Sequence, residues 1–91
     1  MDIDLRQLRA FVTVVDEGSF TEAATTLHLS QASVSRAVAS IETAIGAKVL
    51  RRTTREIGLT EVGARVLGPA RRAIEEVDAV LKAGQTSELA M

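Results

Sequence analysis

Four arginines and a row of small polar side chains hold most of the chemistry this chain can offer. Arg36, Arg51, Arg52 and Arg55 lie in one stretch with Ser30, Gln31, Ser33, Ser35, Ser40 and Thr54. A guanidinium presents a flat fork of N–H donors that matches a phosphate, or the O6 and N7 edge of guanine. Hydroxyls, a glutamine amide and the free N–H groups of a helix start can add contacts to the same ligand. Catalysis has almost no support. The chain has one histidine, no cysteine, no glycine-rich phosphate loop and no carboxylates clustered for acid–base work. No metal and no cofactor are expected.

The bulk composition sets the frame for those residues. Ninety-one residues make one domain, and a hydrophobic share of 46% with a mean hydropathy of +0.16 suits a folded core. The start, Met1-Asp2-Ile3-Asp4, lacks the basic-then-apolar order of a secretory signal. No apolar run approaches the roughly 20 residues that span a bilayer. A soluble, cytoplasmic protein is expected, and the absence of cysteine fits a reducing compartment. The net charge of −1 conceals a segregation. From Gln31 to Thr60 five basic residues face two acidic ones, whereas the first thirty residues hold two basic and five acidic. That division suits a protein with one side turned to nucleic acid.

The elements that must position the arginines are legible from caps and periodicity. Asp4 caps a first helix with Gln7 as its capping-box partner, and Leu5, Leu8, Phe11, Val12 and Val15 form its buried face. Gly18 stops it. Ser19 opens a short second helix, with Glu22 completing a second box and Ala23, Ala24 and Leu27 turned inward. His28-Leu29 forms the turn. Ser30 caps a third helix, whose Val34, Val38, Ile41 and Ile45 recur at a period of 3.6, and Gly46 ends it. Val49–Arg52 and Glu56–Leu59 read as a small hairpin around Thr53-Thr54-Arg55. Thr60 caps a last helix that is expected to run to about Ala83, with Gly84 as its stop. Residues 85–91 are expected to be a flexible tail.

Two short helices across a three-residue turn place the second helix in the DNA major groove. With Val34 at the centre of the buried side, Ala32, Arg36, Ala39 and Thr43 point away from it, and Ser33, Ser35 and Ser40 flank them. Arg36 is the first choice for a base or phosphate contact; a solvated surface arginine is the alternative. Gln31 at the helix start can reach adenine or a phosphate. Arg51, Arg52 and Arg55 can neutralise phosphates as a wing, with Arg55 in a narrow minor groove, while edge-strand charge remains an alternative for Arg51. Ser30 and Thr60 can be caps alone. Phe11 and Phe20, the two aromatics, read as core, which leaves no stacking platform for single strands.

These blocks resemble the N-terminal part of LysR-type transcriptional regulators. The likeness is carried by Leu5-Arg6-Gln7-Leu8-Arg9-Ala10-Phe11, Gly18-Ser19-Phe20-Thr21, Ala23-Ala24 and Leu27-His28-Leu29-Ser30-Gln31. Ser35-Arg36, Ile41-Glu42, Ile45-Gly46 and Leu59-Thr60 continue it, so that it covers residues 3 to 82. Ala32 stands where the family often has proline, and Leu50 replaces a phenylalanine; Pro69 falls where proline is common. The resemblance implies a mostly α fold with a small β-hairpin. It consists of a winged helix-turn-helix over 1–59, a linker and dimerisation helix over 60–84, and the tail. It also accounts for His28 in the turn and matches Arg52 to a family arginine. The DNA-binding residues expected from the spacing, the helix start and the hairpin are Ser30, Gln31, Ala32, Ser33, Ser35, Arg36, Ser40, Arg51, Arg52, Thr54 and Arg55. The partners implied are double-stranded DNA with an interrupted palindrome and a second copy of the chain, or a tetramer in the intact regulator. An effector-binding domain is implied too; it is absent from these residues, as in an excised fragment, and DNA binding without an inducer response is expected.

The last helix carries a stripe of Val62, Val66, Ala70, Ile74, Val77 and Leu81, continued by Leu67, Ala73 and Val80, which needs a cover. Arg65, Arg71 and Arg72 precede Glu75, Glu76 and Asp78, so an antiparallel homodimer would set opposite charges together. Local Arg71–Glu75 and Arg72–Glu76 pairing is the alternative for those charges. The competing function is a winged-helix module for protein–protein contact.

Overall fold

The computed structural model describes residues 2–53 and 56–89. Its order is α1 (Leu5–Glu17), α2 (Phe20–Leu27), α3 (Gln31–Ile45), β1 (Leu50–Arg52), β2 (Ile57–Leu59) and α4 (Glu61–Leu89). The caps act where the residue types indicate. Asp4 accepts the Gln7 N–H at 2.9 Å, and Gln7 Oε1 accepts the Asp4 N–H at 3.1 Å. Ser19 Oγ accepts the Glu22 N–H at 3.1 Å, but among the described residues only that half of the expected box forms. His28 takes the left-handed turn position at φ 58°, a conformation uncommon for a residue with a side chain beyond Cβ. Its N–H bonds to Thr25 O, and that of Leu29 bonds to Ala24 O.

α1 lies against α2, α3 and α4, and their shared core is small and aliphatic. Phe11, Val14, Val34, Val38, Ile41 and Val49 are its largest fully buried side chains. Ile45, expected on the buried face of α3, and the turn residue Leu29 both face solvent. Leu29 is 45% exposed, because the chain swings outward after the left-handed His28, and Ile45 is 38% exposed at the end of α3.

The hairpin is antiparallel, with Leu50 opposite Leu59, Arg51 opposite Gly58 and Arg52 opposite Ile57. Each strand is one residue shorter than expected. Val49 gives its N–H to the Glu42 carboxylate at 2.9 Å instead, and Leu50 gives its own to the same Oε2 at 3.4 Å. The other oxygen, Oε1, lies 3.7 Å from Lys48 Nζ. Glu42 is therefore a buried anchor joining α3 to the base of the hairpin. Two buried amides would lose their acceptor without it.

Thr60 Oγ1 accepts the Gly63 N–H at 2.9 Å and donates to Lys48 O at 2.7 Å, starting α4 close to the strand. A Cβ at Gly63 would fall on the Val49 carbonyl oxygen, so only glycine permits this approach. The helix passes through Pro69 and does not stop at Gly84. Residues 85–89, expected as flexible tail, are helical; 90 and 91 lie outside the described residues. Gly18 and Gly46 end helices by turning left-handed, at φ 70° and 83°, whereas Gly84 does not turn and only weakens the helix locally. α4 thus extends about 44 Å at 1.5 Å per residue, which accounts for the 54 Å long axis of the molecule. Among the described residues no helix is long and apolar enough to cross a membrane.

Replacing Glu42 with alanine is expected to lower stability by about 2 kcal/mol. The check is urea unfolding followed by circular dichroism, where a midpoint equal to wild type would show that water serves Val49 and Leu50 equally well.

Candidate nucleic-acid interface

α3 is split lengthwise by burial. Val34, Val38 and Ile41 are 0% exposed, while Ala32, Arg36, Ala39, Ser40 and Thr43 face solvent. Ser33 and Ser35 are half-buried at the boundary. This is the division that helical spacing predicts. Ser30 Oγ accepts the Ser33 N–H at 3.0 Å and donates to Ser33 Oγ at 2.9 Å. Arg36 Nη2 reaches the same Ser33 Oγ at 3.3 Å, so the arginine leans along the helix toward its start. Ala32, in the place of proline, leaves the opening of α3 at Gln31 intact.

Neighbouring elements extend the exposed polar face. Thr21 Oγ1 donates to Gln31 Oε1 at 3.3 Å, linking the starts of α2 and α3. Arg6, near the start of α1, shares a recess of about 410 Å³ with Ser33, Arg36 and Ser40. From β1, Arg51 and Arg52 are both exposed. Arg51 Nη2 donates to Leu59 O at 3.0 Å, so part of its fork serves the hairpin. Thr54 and Arg55, at the tip, lie outside the described residues. The structure thus brings Gln31, Ser33, Ser35, Arg36 and Arg52 to one side. Thr21 and Arg6 were missed because helical periodicity within α3 says nothing about which other elements border it. Among the described residues no group of three His, Cys, Asp or Glu side chains comes together to hold a metal.

A family model described as bacterial regulatory helix-turn-helix protein, lysR family, matches residues 5–64. The chain belongs to the LysR family. A helix-turn-helix transcriptional regulator of Xanthomonas campestris pv. campestris is 53% identical over 64 residues, covering 70% of this chain and 19% of its own. The regulator CrgA of Neisseria meningitidis is 40% identical over 79 residues, which is 87% of this chain and 26% of CrgA. This LysR-family chain therefore spans about a fifth to a quarter of the length of such relatives. Among solved structures it resembles oxidised OxyR of Corynebacterium glutamicum, with a TM-score of 0.92 and 32% identity, over 97% of this chain and 27% of OxyR. It also resembles the BenM DNA-binding domain in complex with catB site 1 DNA, with a TM-score of 0.86 and 34% identity, over 91% of this chain and 92% of that one. The winged helix-turn-helix with a long C-terminal helix is the fold of a LysR-type DNA-binding domain.

The apolar stripe on α4 of this LysR-type domain divides in two. Val62, Val66 and Ile74 are half-buried against the domain's own core, and Ala70 is only 3% exposed. Ala70 is therefore a core residue within the chain, which corrects its place in a free stripe. Val77, Val80 and Leu81 are exposed at 36%, 70% and 59%. The charges along α4 are divided too. Arg71 forms a two-pronged pair with Asp16 of α1, at 2.6 and 3.1 Å, and Asp78 accepts from Arg9 at 3.3 Å. The hydrogen bonds of Arg71 thus go to α1, while Glu75 in its own helix acts on it through charge alone. Arg65 pairs locally with Glu61 at 3.2 Å.

The hydrogen bond from Arg71 holds the Asp16 carboxyl below its usual value, and Asp16 raises that of Arg71. The aspartate's contribution to stability is complete above its unfolded value, about 3.9, and is lost as pH falls through the lower folded value. Both side chains are two-fifths to a half exposed, so the effect is small. Asp16→Asn is expected to be less stable than wild type at neutral pH, with the gap closing below the ordinary aspartate range. Urea midpoints across a pH series measure it; a gap independent of pH would separate the pair from the acid response.

Proposed function

We propose that this chain reads double-stranded DNA in a sequence-specific way, as the DNA-binding domain of a LysR-type transcriptional regulator. In this reading α3 enters the major groove and the hairpin rests on the backbone or in the minor groove. One observation carries it. The side of α3 that avoids the core is small, hydroxylated and armed with Arg36, and it stands beside the basic hairpin. Small side chains let the helix axis come close to base edges, which a bulky face would prevent. Gln31, Ser33, Ser35, Arg36 and Ser40 are the base-facing set, and Ser30, Arg51, Arg52, Thr54 and Arg55 the backbone set, with Ala32 as a close apolar contact. The role involves no catalysis, and its place is the cytoplasm.

In the same reading the chain forms a homodimer. Val77, Val80 and Leu81 form an exposed apolar surface at the far end of a projecting helix, and burying it against a second copy would remove it from water. Antiparallel pairing is the favoured arrangement, although Arg71 and Asp78 are already engaged with α1 and contribute less to it than their sequence order suggests. Two copies related by a two-fold axis require an interrupted palindrome. In the intact regulator a further domain would bind the effector.

Arg36→Ala is expected to weaken binding to DNA from the chain's own upstream region by about 1–3 kcal/mol while changing binding to scrambled DNA much less. Gel-shift titration on the two duplexes decides, and equal losses would remove Arg36 as a specificity residue. Binding to neither duplex by wild type would favour a protein-contact module instead. For the dimer, sedimentation of Val77→Glu and Leu81→Glu should give monomers; a dimer that survives both changes does not use this surface.

A further inference from the structure

Arg52 joins three elements. It belongs to β1, its guanidinium carbon lies 4.1 Å from the centroid of the Phe20 ring, and its Nη1 donates to Ser35 Oγ at 3.4 Å. Phe20 is the first residue of α2, and Ser35 lies on the base-facing helix α3. The phenylalanine is 8% exposed and otherwise packed in the core. Burial alone would be met by leucine; a flat π-face for a cation would not. In front of Arg52 is a recess of about 400 Å³, bordered by the polar Thr21, Gln31, Ser35 and Thr53 and also by Glu56 and Ile57.

We propose that Phe20 is a positioning residue for DNA binding, its ring holding the Arg52 fork so that hairpin and α3 meet the DNA as one rigid unit, with a phosphate oxygen taken by the remaining N–H donors of the fork. The inference rests on the reading of Arg52 as a DNA contact. Arginine is suited to this double role because its planar fork can stack by one face and donate from its edge. An arginine already stacked and hydrogen-bonded loses less freedom when a phosphate arrives. Lysine keeps the charge but has no flat face to stack.

The test uses a labelled duplex of scrambled sequence, since a backbone contact does not depend on base identity. Affinity is measured over a salt series for wild type, Arg52→Ala, Arg52→Lys, Phe20→Leu and the Phe20→Leu/Arg52→Ala double variant. Arg52→Ala is expected to bind about tenfold more weakly and to lower the salt slope by about one. Phe20→Leu should reproduce most of the affinity loss and of the slope change, and Arg52→Lys should stay close to Arg52→Ala. In the double variant the phenylalanine change should add less than about twofold, because both substitutions remove one interaction. Wild-type affinity and slope for Phe20→Leu, a Phe20→Leu loss that adds in full to that of Arg52→Ala, or wild-type binding by Arg52→Lys, overturns the positioning role while leaving Arg52 a DNA contact. Wild-type affinity and slope for Arg52→Ala would remove that contact and the inference with it. Thermal melting establishes that Phe20→Leu is folded, and where it is not, Arg52→Lys decides alone.

Discussion

The burial of one edge of α3 is the constraint on which the remaining architecture rests. Val34, Val38 and Ile41 are sealed against the core, and a helix so anchored has no freedom to rotate about its axis. Turning it by one residue would expose apolar surface and bury serines without partners, each change unfavourable. The outward face is thereby defined before any ligand is present. Its small side chains are tolerated there because they have no packing duty.

The hairpin is too small to hold itself in place. Two strands of three residues gain little stability alone, so its position depends on ties to the rest of the domain. Glu42 supplies one from α3, bonding the amides at the root of β1. Gly63 supplies another by allowing α4 to rest on Val49. Arg52 supplies the third, through Phe20 and Ser35. Recognition helix and wing are consequently linked near both ends of the first strand.

Much of the fold was legible because it is encoded locally. Asp4, Ser19, Ser30 and Thr60 cap helices by bonding amides three residues away, and Gly18 and Gly46 adopt the left-handed form within a single residue. The outer face of α3 was legible for a related reason: a fixed angle per residue converts spacing into direction. What sequence reasoning did not find depends on distant partners. Nothing local marks Glu42 as the acceptor for the Val49 and Leu50 amides seven and eight positions on, and Phe20 reads as core alone because its second neighbour is an arginine thirty-two positions on. Gly84 misled in the opposite sense: a glycine is a strong stop only where the backbone turns, and there it runs on. The stripe on α4 was correctly apolar, but periodicity could not divide it between the domain's own core and the exposed end.

The two arginine–carboxylate pairs between α1 and α4 have a geometric meaning of their own. Arg9 meets Asp78 and Asp16 meets Arg71, so the partners are seven residues apart on each helix, with opposite polarity at the two points. Sliding α4 by four residues in one direction would bring Asp16 to Glu75 and Arg9 to Lys82, like against like at both ends. Sliding it equally far in the other would oppose Asp16 with Leu67 and Arg9 with Ile74. Weak as each pair is, together they act as a vernier with a single coincidence, which agrees with the seat that Val66, Ala70 and Ile74 give α4 against the core.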